Sequence, residues 1–294
     1  MPELPDIQVY IEALAARVVG HRLNGVRFAS PFLPRSVAPP IDDAAGRLVT
    51  GVDRLGKRIV VALSGNLFLV LHLMIAGRLH WKPIDEAIPK RNGLAAFDFD
   101  NGTLTLTEAG SKRRASLHIV DGRAGLAALD RGGIDVVSAT GEAFTRALRS
   151  EPHTLKRALT DPRLFDGIGN AYSDEILHAA RLSPLQLTSN LSDVECRHLH
   201  KASRTVLVTW TDRLRAEAGG GFPEKVTAFR KGMAVHGRFG QPCPVCGAAV
   251  QRIVYAENEA NYCAKCQTGG RLLADRAMSR LLREDWPRKL DDPV

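Results

Sequence analysis

Four of the five cysteines stand in two Cys-x-x-Cys pairs, Cys243/Cys246 and Cys263/Cys266, with sixteen residues between the pairs. Four thiolates at this spacing can close a tetrahedron around one Zn²⁺. Such a site has no open coordination position, so the metal is expected to be structural rather than catalytic. A redox dithiol or an iron–sulfur site would use the same residues and stays open at this stage. Between the pairs, Val250 to Tyr255 reads as one strand of a small hairpin, of the kind that carries side chains into a nucleic-acid groove. The fifth cysteine, Cys196, stands alone between Glu195 and Arg197 and receives no role.

A second motif is Asp166-Gly167-Ile168-Gly169-Asn170-Ala171-Tyr172, between two helical segments. Glycines at a helix start expose backbone N–H groups and let a phosphate approach. Asn170 adds a side-chain donor. An ordinary helix–helix turn looks the same in isolation. The weight comes from its company: a net charge of +8 and a pI near 9.5, which suit a polyanionic partner, nucleic acid foremost. The chain opens Met1-Pro2-Glu3-Leu4-Pro5-Asp6, acidic where a secretory leader is basic. Its longest apolar run, Leu67 to Gly77, is too short to span a bilayer and contains His72. A cytoplasmic protein with no membrane partner is therefore expected, nucleoid-associated if bacterial. Its cysteines are expected to be reduced.

These motifs need elements to hold them. Asp6 to Val19 has Ile7, Tyr10, Ile11, Leu14 and Val18 on one helical face, with Gly20 as the stop. From Leu23 to Val120 the pattern changes to short apolar runs. Ile59 to Leu63, Leu67 to Leu71, Leu94 to Phe99 and Thr103 to Thr107 read as strands of a sandwich or barrel. Helical periodicity returns in Glu142 to Ser150, Leu155 to Leu159, Asn170 to Ala180 and Ser192 to Ala218. A Gly219-Gly220-Gly221 linker and the cysteine module follow, and Arg271 to Trp286 reads as one more helix.

Four stretches together resemble the formamidopyrimidine-DNA glycosylase/endonuclease VIII family. They are Met1-Pro2-Glu3-Leu4-Pro5; Leu55-Gly56-Lys57; Gly167 to Tyr172 with Asp174-Glu175-Ile176-Leu177 and Pro184; and Val235-His236-Gly237-Arg238 running into the four cysteines and Gln267. The resemblance implies an α+β fold: an N-terminal β-sandwich with a flanking helix, a helix-two-turns-helix domain and a zinc-finger β-hairpin. The expected boundaries are 1–125 for the catalytic sandwich, 140–218 for the helical domain, 233–267 for the zinc finger and 271–294 for a C-terminal extension. It also implies a monomer acting on damaged double-stranded DNA held in the cleft between the halves, excising a damaged base and then cleaving the strand.

Carried over by the resemblance, Pro2 is the nucleophile once Met1 is removed. α-Amino groups titrate near 8, so a terminal proline amine is partly unprotonated at working pH. Its attack on the sugar C1′ gives an iminium, an electron sink for β-elimination. Glu3 is the general acid at the ring oxygen. Asp6 stands with these catalytic residues, in a place where many members carry Glu. Lys57 holds a phosphate near the lesion, His72 lies along the lesion strand, and Gly169 and Asn170 grip a phosphate.

The sequence also departs from the pattern. Ile75 replaces the methionine that fills the gap left by the everted nucleotide. The loop Thr107 to Ser116 lacks the usual Asp-Pro-Arg-Arg-Phe, leaving Lys112, Arg113 and Arg114 to meet phosphate. Asn258 takes the place of the zinc-finger arginine that promotes δ-elimination, and an amide cannot replace its charge. The segment Phe222 to Gly232, which caps an oxidised purine in purine-specific members, is short. Two readings follow: a glycosylase/lyase dominated by β-elimination, and a non-catalytic binder of damaged or distorted DNA.

Overall fold

The computed structural model describes the chain except residues 111, 225, 228, 256–257, 275–279, 281–287 and 291–294; of residues 255 and 258 only the backbone is described. The chain forms two compact units, Met1–Arg131 with Trp210–Thr227, and Gly132–Thr209 with Ala228–Val294.

The first unit begins with helix α1, Leu4–Val18. It starts two residues before the predicted Asp6, because Pro5 fits the first turn, where its missing N–H costs nothing. The predicted face is buried: Ile7, Tyr10, Leu14 and Val18 are almost wholly shielded. Gly20, at φ +84°, turns the chain out of the helix.

Eight strands follow: β1 (Arg22–Phe28), β2 (Arg47–Leu55), β3 (Arg58–Leu63), β4 (Leu67–His72), β5 (Gly77–Lys82), β6 (Gly93–Phe99), β7 (Gly102–Glu108) and β8 (Ser116–Asp121). All neighbouring pairs are antiparallel, in the order β5-β7-β6-β1-β2-β3-β4-β8. The β1–β2 pairing is brief, Arg22 opposite Leu48 and Leu23 opposite Arg47. That corner joins two four-stranded layers into a sandwich. Leu23, Leu79, Phe97 and Leu106 from one layer share a core with Ile59, Leu69, Leu71 and Leu117 from the other and with α1. Each such side chain contributes roughly 1.5–3 kcal/mol on burial. A short helix α2, Gly122–Ala127, brings Leu126 against Val60, Phe68 and Val70 on the outer face. Strands β1, β2, β5 and β8 went unpredicted. They carry mixed exposure and, in β1 and β2, an internal glycine at a register shift.

The second unit contains α3 (Gly141–Arg149), α4 (Leu155–Thr160), α5 (Asn170–Ala180) and most of α6 (Asp193–Ala218), all within two residues of the predicted helices. Strands β9 (Val250–Tyr255) and β10 (Asn258–Cys263) form the zinc-module hairpin, closed by α7 (Ala264–Thr268). The end of α6 and the following segment return to the first unit. There Arg215 pairs with Glu12 at 2.8 Å and Phe222 packs against Tyr10 at 5.7 Å. The helix predicted for 271–286 falls mostly outside the described residues.

Candidate functional site

In the first unit, the start of α1 is a buried acidic corner. Pro2 is buried, and Glu3 and Asp6 are 2% and 3% exposed. Glu3 is the N-cap, and its N–H donates to Asp6 Oδ2 at 2.9 Å, closing a capping box across the first turn. Asp6 is thereby fixed as the partner of the Glu3 backbone. Burial pushes the Met1 α-ammonium, one residue before Pro2, below its ordinary value of 8, with Arg78 and Lys57 also lowering it and Glu3 and Asp6 raising it. An amine in this corner loses its proton more readily than one in water.

Lys57 reaches the same corner from the β2–β3 hairpin. Leu55 pairs with Arg58, leaving Gly56-Lys57 as a two-residue turn, and Gly56 takes φ +63°. His72 ends β4 opposite Arg58. Its imidazole is pushed down to about 4, by burial first and then by Arg58, Lys57 and His118, so it is neutral at working pH. The structure thus places Pro2, Glu3 and Asp6 in one corner with Lys57 within electrostatic reach, and His72, on β4 opposite Arg58, also within reach of Lys57.

Ile75 stands 57% exposed in the turn from β4 to β5. That turn is tightly set. The Gly77 N–H donates to the Leu73 carbonyl at 2.9 Å, and a Cβ on Gly77 would lie 2.2 Å from that oxygen. Met74 beside it holds φ +52°, a costly conformation for a non-glycine residue. A rigid turn therefore presents an apolar side chain to solvent. Lys112, Arg113 and Arg114 are also exposed, on a loop anchored by the buried Glu108, whose Oε2 accepts from the N–H groups of Arg114 and Ala115 at 2.9 and 3.0 Å.

In the second unit, α5 begins at Gly169 with no capping side chain and no acid in its first turn. Asn170 Nδ2 donates to the Glu259 carbonyl at 2.8 Å. One amide hydrogen of Asn170 is thus spent on the zinc hairpin, a tie the sequence did not announce. Two further residues of α5 were quoted in the motif but given no role. Asp174 binds Lys156 Nζ at 2.6 Å and His236 Nδ1 at 2.8 Å. Glu175 accepts the N–H groups of Ala234, Val235 and His236 at 2.7, 2.9 and 2.9 Å. Both carboxylates are buried and fully engaged, so they hold the entry to the zinc module onto α5. The signal for them was two consecutive acids on a helix otherwise buried almost all round.

The four cysteine sulfurs lie within 4.8 Å of one another, Cys243 to Cys266 at 3.9 Å and Cys246 to Cys263 at 3.4 Å. A tetrahedron with Zn–S bonds of about 2.3 Å has edges of roughly 3.8 Å, so the donor set fits zinc. His178 Nε2 sits 3.3 Å from Cys243 Sγ. Gln267 accepts from the Cys263 N–H at 2.8 Å and donates to the Leu182 carbonyl at 2.9 Å. These partners orient the ligands from behind. Bound there, zinc supplies crosslinking and leaves no coordination position for substrate. Among the described residues there is a second ligand-like group, Glu151, His153 and Asp161, in which Arg163 bridges the two carboxylates and His153 Nε2 lies 2.7 Å from Glu151. Asn258 opens β10 opposite Tyr255, its side chain outside the described residues. Arg252 of β9 lies over Phe239 at 4.3 Å. Among the described residues no helix is long and apolar enough to cross a membrane.

Comparison with known proteins agrees with this division. Residues 1–123 match the formamidopyrimidine-DNA glycosylase N-terminal domain, 135–212 its H2TH domain, and 240–269 the zinc finger found in FPG and IleRS. A formamidopyrimidine-DNA glycosylase of Roseiflexus is 34% identical over 91% of this chain and 100% of its own length. One from Thermus thermophilus is 34% identical over 92% of this chain and 100% of its own. An uncharacterized formamidopyrimidine-DNA glycosylase-like protein of Mycobacterium tuberculosis is 41% identical over 51% of this chain and 94% of its own. In fold, the Lactococcus lactis Fpg bound to DNA containing an abasic site superimposes with a TM-score of 0.80 at 22% identity, over 90% of this chain and 99% of that one. With the three domain matches in sequence and relatives 34% identical over their whole length, the chain belongs to the formamidopyrimidine-DNA glycosylase family.

Proposed function

We propose that this base-excision-repair DNA glycosylase works through Pro2 as a bifunctional glycosylase and abasic-site lyase. The observation that carries the reading is the buried corner at the start of α1, where Pro2, Glu3 and Asp6 are shielded from water, Lys57 lies within electrostatic reach, and burial lowers the pKa of the Met1 amine beside Pro2. Removal of Met1 leaves the Pro2 nitrogen as a secondary amine. Its lone pair attacks C1′, the C1′–base bond breaks, and the base departs with the bonding electrons, taking up the proton that the Pro2 nitrogen loses. Glu3 donates a proton to the sugar ring oxygen, the ring opens and an iminium forms. Loss of a C2′ proton to base then expels the 3′ phosphate, and water releases the aldehyde and regenerates the amine.

Lys57 and the exposed cations Lys112, Arg113 and Arg114 supply phosphate contacts, Gly169 and Asn170 grip the backbone, and Ile75 enters the space left by the everted nucleotide. The neutral His72 contributes a hydrogen bond rather than a charge. With Asn258 where the family's arginine stands, β-elimination dominates over δ. The substrate class is an oxidised or ring-opened base in duplex DNA, and the protein acts as a monomer in the cytoplasm, where its zinc thiolates stay reduced.

The test is a single-turnover assay on duplexes carrying a ring-opened purine or an oxidised pyrimidine, with products resolved by elimination type. Base release followed by a β-product is expected. Mostly δ-product contradicts the role given to Asn258, and tight binding without base release favours a non-catalytic binder.

A further inference from the structure

Phe32 is 77% exposed, at the tip of the loop after β1. That tip is held from both sides. The N–H groups of Ala29 and Ser30 donate to the Leu94 carbonyl at 2.9 and 3.2 Å. Beyond it, Leu33 is buried, the Leu117 N–H donates to the Leu33 carbonyl at 2.9 Å, and the Arg35 N–H donates to the Leu117 carbonyl at 2.8 Å. A large aromatic ring is thus presented to water on an anchored loop, where it gains nothing for folding.

Its neighbours explain what the ring is for. Ser30, Phe32, Leu33, Leu94, Arg113 and Ala115 line a pocket of about 420 Å³. That volume suits one flat heteroaromatic group. The pocket is walled by the loop that carries Lys112, Arg113 and Arg114. Arg113 Nη2 donates to the Arg91 carbonyl at 2.8 Å, which fixes the guanidinium at the pocket. An exposed aromatic face, a fixed guanidinium and flanking cations are what an unstacked nucleobase with its phosphate requires.

We propose that Phe32 and Arg113 form a seat for an unstacked DNA base, the Phe32 ring stacking on its face and Arg113 meeting its edge or the adjoining phosphate. This rests on the glycosylase reading, since it takes damaged duplex DNA as the ligand.

The test uses the full zinc-loaded chain and a duplex carrying a tetrahydrofuran abasic analogue. The fluorescent base 2-aminopurine is placed either opposite the analogue or beside it on the same strand. The wild-type protein is expected to change the fluorescence severalfold at one of the two positions, which identifies the strand that supplies the base. Phe32→Ala is expected to abolish that change and weaken duplex binding about tenfold, with an unchanged melting temperature, whereas Phe32→Trp keeps both. Arg113→Ala is expected to weaken binding while the stacking signal falls only in part. If Phe32→Ala matches the wild type in signal and affinity at both positions, the seat does not exist. If the wild type itself fails to bind the duplex, the glycosylase reading falls, and the proposal with it.

Discussion

The first turns of α1 and α5 start from the same physics, unpaired N–H groups and the positive end of a helix dipole, and are finished differently. At α1 the chain fills the position with its own carboxylates: Glu3 as N-cap, Asp6 returning the bond, both buried. An external anion has no place there, and an amine set among those groups is shielded from water. At α5 the N-cap is Gly169, no side chain caps it, and the acids Asp174 and Glu175 come a turn later, tied to Lys156, His236 and three backbone N–H groups. The proposed nucleophile and the proposed phosphate grip are thus set apart by where the acids fall along two helices. Acids in the first turn close α1 on itself, and acids one turn further tie α5 to other segments.

The largest effect that sharpens this contrast is expected at α1. Glu3→Gln keeps the shape of the cap and removes the proton donor, so base release should fall by roughly 10²–10⁴-fold in single-turnover assays. Affinity for an abasic-analogue duplex should stay near that of the wild type. Equal losses in binding and turnover would reduce Glu3 to a cap. At α5 the corresponding change acts on stability. Glu175→Gln removes a charged acceptor of three N–H groups and should cost about 3 kcal/mol in chemical unfolding of the zinc-loaded protein. An unchanged midpoint with lost chemistry would break the contrast.

His72 gives a pH signature in the first unit. Its folded pKa is near 4, against an ordinary 6.5. Below 6.5 the unfolded chain takes up a proton that the folded chain refuses. Stability is therefore full above that pH and is lost as pH falls toward 4, by at most about 3 kcal/mol. His72→Gln should flatten melting temperature against pH over this window; a wild-type profile already flat there would remove the buried neutral imidazole. The smallest effect is the converse substitution. Gly169→Asp gives α5 the kind of cap that α1 has, at an N-cap whose φ of −131° any residue adopts. Duplex binding should weaken about tenfold through repulsion of phosphate, with the melting temperature held or slightly raised. Unweakened binding would show that α5 meets no phosphate.

Much of this was legible in the sequence, for identifiable reasons. The helices are long and periodic, and the cysteine spacing states its own geometry. The chemistry proposed at Pro2, Glu3 and Lys57 comes only through the resemblance, since a proline at position 2 carries no signal alone. Strands such as β1 and β8 were missed because their apolar residues face the core one at a time among charges. The ties of Asn170 to the Glu259 carbonyl and of Glu175 to residues 234–236 link positions 59 to 89 apart in the chain. No local pattern encodes such pairs.

The central claim is that the Pro2 nitrogen attacks the sugar. Borohydride trapping on duplex DNA with one abasic site, using protein shown by mass spectrometry to lack Met1, tests it most directly. A covalent adduct that maps to Pro2 by peptide sequencing, with trapping still strong below pH 8, is the predicted result. No adduct from protein that carries zinc and binds the duplex, or an adduct on a lysine with Pro2 unmodified, would contradict it.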